Sequence, residues 1–237
     1  MRYPGGKNSA YQTIINLIPP HETYIEAFAG SGAILRFKRP AACTIAIDAD
    51  ASALQTLRWS IAENGDMDQQ IEFVNADAIE WLAGYPFRGG EFVYADPPYL
   101  PSTRRQHRHI YRCEMAEPGH IALLDVLKRL PCKVMLSGYW SELYDQALAG
   151  WHTTSFQAIT RSGQKATEYL WMNYPPPIEL HDYRYLGEDF RQRERIKRKK
   201  QRWVERLKKM PRLERQALLS ALDQLATFDD DGSRIND

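Results

Sequence analysis

The sequence contains few cysteines, no long apolar run and almost no net charge, and each shortage excludes a class of protein. Cys43, Cys113 and Cys132 are three among 237 residues and lack metal-type spacing. We therefore expect free thiols in a reducing cytoplasm, with no disulfide framework and no metal. No apolar run approaches the ~20 residues of a membrane span, and no signal peptide is visible at the amino end. The sequence thus predicts a cytoplasmic protein without a membrane-spanning segment.

The small net charge of +1 conceals a strongly basic segment near the carboxyl end of the chain. Residues 191–212 carry 12 Lys or Arg side chains and only two Asp or Glu. Most charge runs are simply the solvated faces of helices, but this excess is larger than solubility requires. The segment therefore indicates contact with the backbone of a nucleic acid.

The length fits one domain of ordinary size with an appendage. The run Pro175-Pro176-Pro177 marks the predicted boundary. We assign residues 1–176 to a catalytic domain and residues 177–228 to a basic helical extension. Residues 229–237 are predicted to form a disordered tail.

A glycine turn follows the first predicted strand but lacks the third glycine of a dinucleotide fingerprint. Thr23 to Phe28 form the strand, and Gly30 and Gly32 match the first two glycines, whereas Leu35 stands at the third position. A strand, a glycine turn and a helix start are typical of nucleotide-like ligands. A simple turn explains a lone Gly-x-Gly equally well.

Acidic residues follow the next two predicted strands. Asp48 ends the second strand, about 20 residues beyond the glycine turn, where a carboxylate suits both hydroxyls of a ribose. Asp50 is the alternative for that role. Asp77 follows the third strand and is either a ligand contact or an amino-terminal helix cap. Because ligands of open α/β sheets lie at the carboxyl ends of strands, these positions predict one common site.

The fourth predicted strand ends in a carboxylate, two prolines and an aromatic ring. Glu91 to Ala95 are largely apolar, and Asp96-Pro97-Pro98-Tyr99 follow directly. The prolines lock the turn and leave the Pro97 carbonyl available as an acceptor. Two acceptors beside a flat ring suit a planar base with an exocyclic amino group, such as adenine or cytosine. A tight turn without function is the alternative.

Three motifs together resemble the DNA adenine-specific N6 methyltransferases. They are Pro4-Gly5-Gly6-Lys7, Phe28-x-Gly30-x-Gly32 and Asp96-Pro97-Pro98-Tyr99, and the resemblance covers residues 1–176. It implies S-adenosyl-L-methionine as cofactor and a Rossmann-like α/β methyltransferase fold. That fold has a mostly parallel seven-stranded sheet with an antiparallel edge strand, here followed by a basic helical appendage.

The resemblance and the charge pattern assign the site residues. The catalytic residues are expected to be Asp96, Pro97, Pro98 and Tyr99. The cofactor-binding residues are expected to be Tyr3, Gly6, Lys7, Phe28, Gly30, Gly32, Asp48, Asp77, Ala78 and Asp96. The loop 100–120 and the basic segments are expected to contact DNA through Arg104, Arg105, Arg108, Tyr111, Arg112, Arg161, Lys165, Lys197, Lys199 and Lys200.

The expected reaction is site-specific methylation of adenine N6 in double-stranded DNA. The base would be flipped outward, stacked on Tyr99 and attacked without a covalent intermediate. Cytosine N4 is the nearest alternative, RNA is a less favoured substrate, and a DNA-binding protein without turnover is a third possibility. A restriction endonuclease counterpart is possible, and the oligomeric state is left open.

Overall fold

Strands and helices alternate along the part of the chain that the computed structural model describes, which comprises residues 7, 10–63, 70–103, 112–159 and 165–232. The strands are β1 (Thr23–Ala27), β2 (Cys43–Asp48), β3 (Ile71–Asn75), β4 (Glu91–Ala95), β5 (Lys133–Gly138), β6 (His152–Ile159) and β7 (Lys165–Met172). The helices are α1 (Tyr11–Ile15), α2 (Ala33–Phe37), α3 (Ala51–Glu63), α4 (Ala78–Gly84), α5 (Glu117–Arg129), α6 (Glu142–Ala147), α7 (Phe190–Lys208) and α8 (Arg212–Gly232).

The strands form one sheet in the order β3-β2-β1-β4-β5-β7-β6. The first five strands pair in parallel, and β7 runs antiparallel to both β5 and β6. The helical crossovers between parallel strands put helices on both faces, as all-parallel pairing requires. The expected mostly parallel seven-stranded sheet with an antiparallel edge is confirmed.

Each face of the sheet buries its own core. Along β4, which is buried throughout, Val93 and Ala95 face the core beneath α4, α5 and α6. Phe92 and Tyr94 face the opposite core, beneath α1, α2 and α3. This alternation follows from the two-residue period of a strand. It explains why the central strand reads as a continuous apolar run.

The strand register aligns the carboxyl ends of the central strands. Ala27 of β1 lies opposite Ala95 of β4, and Ala95 lies opposite Leu136 of β5. On the other side, Asp48 ends β2 beside the end of β3. The residues just beyond these strands therefore emerge together at one edge of the sheet.

The chain divides into two units, residues 1–185 and residues 186–237. Residues 177–185 belong to the first unit because their hydrogen bonds run back to it. The His181 amide donates to the Ile18 carbonyl at 2.9 Å, and the Arg39 amide donates to the Asp182 carboxylate at 2.8 Å. The unit boundary therefore falls nine residues beyond the predicted one, and the predicted roles of the segments stay predictions.

The second unit consists of α7 and α8. Asp189 caps α7 by accepting from the Gln192 amide at 2.7 Å. No residue of α7 is buried, and α8 continues to Gly232, beyond the predicted start of the tail at Asp229. Across the described ranges, no helix combines the length and apolar character needed to cross a membrane.

Candidate active site

A cavity of about 270 Å³ opens at the carboxyl edge of β1, β2 and β4. Eight of the predicted site residues line it: Lys7, Phe28, Gly30, Asp48, Asp77, Ala78, Asp96 and Pro98. Parts of the chain without a predicted cofactor role also line it, among them Glu26 and the segment from Cys113 to Ala116. The prediction of a common site at this edge agrees with this arrangement.

The turn after β1 has unusual backbone geometry on the cavity wall. Phe28 has a φ of 64° and Gly30 a φ of 50°, both in the left-handed region. Glycine adopts this region freely, whereas for a bulky residue such as Phe28 it costs about 1–3 kcal/mol. Surrounding structure holds the strained turn in place. Such strain is characteristic of ligand sites.

Asp48 is fixed on the cavity wall by two backbone amides. The Gly30 amide donates to Asp48 Oδ2 at 2.7 Å, and the Asp50 amide donates to Asp48 Oδ1 at 2.8 Å. Burial raises the pKa of Asp48, while the hydrogen bonds from Asp50 and Gly30 oppose that rise. Each carboxylate oxygen keeps a further lone pair for a ligand hydroxyl.

Asp50, the alternative to Asp48, has a different position. Its carboxylate accepts from the Ser52 amide at 2.9 Å and from the Ser52 hydroxyl at 2.6 Å, at the start of α3. The hydrogen bond from the Ser52 hydroxyl, with Arg112 also nearby, lowers the pKa of Asp50. Asp50 is absent from the cavity lining, so the geometry favours Asp48.

Asp77 caps α4 and also lines the cavity. Its Oδ1 accepts from the Ile79 amide at 2.8 Å and from the Glu80 amide at 3.1 Å. Within the described part of the chain no group donates to its Oδ2. The two sequence interpretations of Asp77 are therefore compatible, because one oxygen serves the helix and the other can serve a ligand.

Glu26 is a buried carboxylate on the cavity wall that the sequence did not single out. Its Oε2 accepts from the Tyr24 hydroxyl at 2.9 Å and from the Leu35 amide at 2.8 Å. Burial raises the pKa of Glu26 to about 7. The sequence feature that could have identified Glu26 is its position as the one charged residue of strand β1.

Asp96 emerges from β4 with one of its oxygens engaged. Asp96 Oδ1 accepts from Lys7 Nζ at 2.7 Å and from the Ser137 hydroxyl at 2.8 Å. In the described ranges no group donates to Asp96 Oδ2 or to the Pro97 carbonyl. Burial raises the pKa of Asp96, and Lys7 opposes the rise. The two acceptors predicted from the sequence are thus present.

Lys7 lies inside the protein among carboxylates. Only 4% of its side chain is exposed, and its Nζ lies 2.7 Å from Asp96 and 3.3 Å from Glu168 Oε2. Burial alone would lower the pKa of Lys7, but Asp96 and Glu168 together raise it above the ordinary value. Lys7 is therefore a buried ammonium that contacts Asp96 and Tyr99 directly.

The Tyr99 hydroxyl is held by two charged side chains. It accepts from Lys7 Nζ at 2.6 Å and donates to Glu168 Oε1 at 3.1 Å. The Tyr99 ring centroid lies 4.3 Å from that of Tyr139. Tyr99 and Pro97 are buried and absent from the cavity lining, so stacking of a base on Tyr99 stays a prediction. Ser137 and Glu168 were not predicted.

Gly32 lies against α3 and does not line the cavity. It has a φ of +59°, and a Cβ there would approach Leu57 Cδ1 to 2.5 Å. The geometry thus gives Gly32 a packing role, and its predicted cofactor contact stays a prediction.

The residues expected to contact DNA fall into three groups. Arg112 donates to the Ser52 hydroxyl at 2.7 Å, Lys165 begins β7, and Lys197, Lys199 and Lys200 lie on α7. The other expected contacts and two cofactor residues lie outside the described residues: Tyr3, Gly6, Arg104, Arg105, Arg108, Tyr111 and Arg161. No group of His, Cys, Asp and Glu in the described ranges could hold a metal ion.

The cavity fits S-adenosyl-L-methionine by the chemistry of its polar groups. Glu26, Asp48, Asp77 and Asp96 all present acceptors, and Lys7 is the one lysine on the wall among the described residues. The cofactor carries a ribose diol, an adenine amino group, an ammonium, a sulfonium and one carboxylate, so it has several donors and a net positive charge. An acidic wall rich in acceptors is complementary to that set.

Comparison with known proteins identifies a family and several relatives. The family described as conserved hypothetical protein 95 matches residues 7–137, more than half of the chain. The ribosomal RNA large subunit methyltransferase K/L of Aliivibrio fischeri is 28% identical over 106 residues, covering 44% of this chain and 14% of that protein. The ribosomal RNA large subunit methyltransferase I of Photobacterium profundum is 27% identical over 167 residues, covering 66% of this chain and 41% of that protein.

The chain therefore spans less than half the length of these two curated relatives. A solved structure of a putative methyltransferase from Streptococcus mutans in complex with SAH has a TM-score of 0.45 with this chain. The two chains are 13% identical, and the match covers 69% of this chain and 96% of the Streptococcus mutans chain. The relatives' names, which are those of methyltransferases, support the expected enzyme class, and the expected cofactor, S-adenosyl-L-methionine, agrees with them.

The assignment to the DNA adenine methyltransferases is wrong, because the matching family and the curated relatives are not of that kind. The same comparisons overturn five further expectations. These are adenine N6 in DNA as the acceptor, the cytosine N4 alternative, the non-catalytic DNA-binding alternative, double-stranded DNA as the partner and a restriction endonuclease counterpart. The physical reason is that acceptors beside a ring, the feature inferred from Asp96-Pro97-Pro98-Tyr99, suit any amino-bearing base. Such bases occur in DNA and in RNA alike, so the motif does not identify the polymer.

Proposed function

The chain belongs to the conserved hypothetical protein 95 family, and from that premise we propose that it methylates the exocyclic amino group of a base in RNA. The observation that carries the chemistry is Asp96 at the end of β4, with one oxygen facing no donor among the described residues. The names of the two curated relatives support RNA as the substrate polymer.

We expect two acceptors for the amino group, namely Asp96, which lines the cavity, and the carbonyl of the adjoining Pro97, which is absent from the lining. Asp96 Oδ2 and the Pro97 carbonyl can each accept one hydrogen of the amino group. Accepting both hydrogens draws the nitrogen lone pair out of conjugation with the ring and makes it nucleophilic. Adenine, cytosine and guanine all carry such a group. An unpaired base in RNA presents it without being drawn out of a duplex.

The cofactor supplies an electrophilic methyl group when it is bound. Asp48 would hold the ribose hydroxyls through the lone pairs that the Gly30 and Asp50 amides leave free. Asp77 Oδ2 would accept from an amino group of the cofactor, while Oδ1 stays with the helix. Catalysis by these residues rests on orientation and on fixed charges, because none of them forms a covalent bond with the substrate.

The basic face of α7 is suited to the phosphate backbone of RNA. Six exposed cations recur every three or four residues and so share one face: Arg191, Arg195, Lys199, Arg202, Arg206 and Lys209. This basic face extends about 27 Å along the helix. Among the described residues no carboxylate lies within ion-pair distance of these six, whereas Lys197 and Arg198 approach Glu194 and Lys208 pairs with Glu205.

The reaction is tested by methyl transfer from labelled S-adenosyl-L-methionine to large-subunit ribosomal RNA transcribed without modifications. We expect a base methylated on its amino group, identified as the nucleoside by mass spectrometry. Asp96→Asn should lower the rate about 100-fold or more while cofactor binding, measured by calorimetry, survives. Asp125→Asn, which changes an exposed carboxylate on α5, is the matched control. Methylation of duplex DNA with none of RNA would overturn the proposal.

The role of α7 is tested by the salt dependence of RNA binding. Replacing Arg195, Lys199 and Arg202 with Gln should reduce the slope of log K against log salt by about 2, since each phosphate contact contributes about 0.7 for a single strand. The control replaces Lys197, Arg198 and Lys208, which removes the same charge from carboxylate-paired positions. Equal effects of the two triple variants would show that the basic face is not a specific contact.

A further inference from the structure

Glu168 is a buried carboxylate outside the predicted motifs, in the antiparallel strand β7. The residue is 8% exposed. Two positions further along β7, Leu170 pairs with Ser137 of β5, whose hydroxyl donates to Asp96. Glu168 therefore lies on the strand next to the end of β5, where it reaches the catalytic motif from the side opposite β1.

Glu168 completes a buried cluster of one ammonium, two carboxylates and one phenol. Its Oε1 accepts from the Tyr99 hydroxyl at 3.1 Å, and its Oε2 lies 3.3 Å from Lys7 Nζ. Lys7 Nζ in turn donates to Asp96 at 2.7 Å and to the Tyr99 hydroxyl at 2.6 Å. With both carboxylates ionised, the cluster carries one excess negative charge.

The excess charge matters because Lys7 alone would neutralise Asp96. A neutralised carboxylate is a weaker acceptor for an amino hydrogen and a weaker acceptor for a proton. Because Glu168 also pairs with Lys7, the positive charge of Lys7 acts on two carboxylates and compensates each of them only in part. The cluster then keeps negative charge on the side of Asp96 that faces the cavity.

We propose that Glu168 is a positioning residue of the methyl transfer, which fixes the Tyr99 hydroxyl together with Lys7 and makes Asp96 a stronger proton acceptor. This inference rests on the proposed function of the same site. After transfer the substrate nitrogen carries the methyl group and a positive charge, and it must lose one proton. Asp96 accepts that proton through Oδ2 and releases it to solvent, which its side chain reaches with 18% exposure.

Other charged and titratable groups also act on Asp96. Lys7 opposes the effect of burial on the pKa of Asp96, whereas the negative charge of Glu168 raises that pKa. Glu26 lies on the neighbouring strand β1, and its own pKa, raised mainly by burial, is raised further by the charge of Asp96. Tyr94 faces Asp96 from the same strand, and its own pKa lies well above the ordinary value because it is buried.

The test compares Glu168→Gln with wild-type protein in two independent measurements. The first is the pKa of Asp96, followed by the carbon resonance of its carboxyl group in protein labelled at aspartate, without cofactor or RNA. Because the substitution removes a neighbouring negative charge, this pKa should fall. The second is methyl transfer to RNA, where kcat should fall about tenfold and KM for S-adenosyl-L-methionine should stay unchanged.

Two further variants separate a positioning role from a structural one. Glu168→Asp keeps the charge but shortens the side chain, so it should restore the pKa of Asp96 while kcat stays low. Glu91→Gln removes another buried carboxylate, one that accepts from the Arg88 and Gly89 amides at the start of β4. That control should lose stability without any change in the pKa of Asp96 or in kcat.

Each result decides between the two roles. An unchanged pKa of Asp96 in Glu168→Gln, or a raised KM for the cofactor with kcat unchanged, would overturn the positioning role. If Glu168→Gln does not fold, Glu168→Asp must reproduce the wild-type pKa and a reduced kcat, and an unaltered kcat would refute that role. If wild-type protein does not methylate RNA, the proposed function fails. The resonance measurement still determines whether Glu168 acts on Asp96.

Discussion

Replacing Gly32 with alanine tests whether this glycine serves packing or the cofactor. Gly32 starts α2 in the left-handed region, at φ +59°. An alanine Cβ would lie 2.5 Å from Cδ1 and 2.8 Å from Cδ2 of Leu57, which is 1% exposed in the core. The substitution therefore introduces both backbone strain and a steric clash.

The expected loss of stability is the sum of these two effects. The left-handed conformation costs a residue with a Cβ about 1–2 kcal/mol. Forcing one extra carbon into a packed core costs about 1–3 kcal/mol more. Gly32→Ala should thus lower the free energy of unfolding by about 2–5 kcal/mol. The affinity of the folded protein for S-adenosyl-L-methionine should change little, because Gly32 does not line the cavity.

Two other glycines provide matched controls. Gly150 has a φ of +91° with no atom within 4 Å of the position that a Cβ would take, so Gly150→Ala should show the backbone cost alone. Gly84 ends α4 with no atom within 4 Å and no positive φ, so Gly84→Ala should be neutral or slightly stabilising. Urea unfolding followed by tryptophan fluorescence gives the free energies, and calorimetry gives the cofactor affinity.

Either of two results would contradict the packing role of Gly32. If Gly32→Ala is no less stable than Gly150→Ala, the clash with Leu57 has no energetic consequence. If Gly32→Ala retains its stability but loses cofactor affinity about tenfold, which corresponds to about 1.4 kcal/mol, Gly32 is a cofactor contact after all. A Leu57→Ala background should reduce the cost of Gly32→Ala to its backbone part, since the two residues are in contact.

Three further substitutions have defined outcomes. Burial raises the pKa of Glu26 from 4.5 to about 7, so the folded protein binds the carboxyl proton of Glu26 more tightly than the unfolded chain does. The folded protein therefore loses about 3 kcal/mol of stability as pH rises from 4.5 through 7. Unfolding curves of Glu26→Gln should lack that loss, and parallel pH profiles would contradict the assignment. Asp77→Ala should cost about 1 kcal/mol through the lost helix cap and also weaken cofactor binding, whereas an unchanged affinity in calorimetry would limit Asp77 to capping. Ser137→Ala should lower kcat with KM for the cofactor unchanged, and a wild-type kcat would show that its hydrogen bond to Asp96 is dispensable.

The sheet and its ligand-facing edge were predictable because they depend on local patterns. Largely apolar runs of five or six residues indicated β1 to β4, and the acids Asp48, Asp77 and Asp96 lie at or just beyond the ends of three of these strands. Since parallel strands end at a common edge, sequence position alone was enough to bring those acids together. The cavity lining reproduces that arrangement.

The contacts of Lys7 were not predictable, because they join distant parts of the chain. Lys7 and Asp96 are 89 residues apart, and Tyr99 and Glu168 are 69 residues apart. No periodicity or spacing encodes such a pair; only the path of β7 beside β5 creates it. Gly32 illustrates the same limit, since a Gly-x-Gly pattern looks identical whether a glycine faces a ligand or Leu57.

The choice between DNA and RNA was not accessible from the motif for a chemical reason. The proposed target of Asp96 and Pro97 is an amino group, and that group is the same in both polymers. The basic face of α7 does not discriminate either, because both backbones carry one negative charge per phosphate. What distinguishes RNA is its 2′-hydroxyl and its unpaired, accessible bases. If the chain methylates RNA as proposed, we expect discrimination to come from polar groups that meet the ribose beside the unpaired base. Substitutions that relax it should then be sought around the cavity mouth and not along α7.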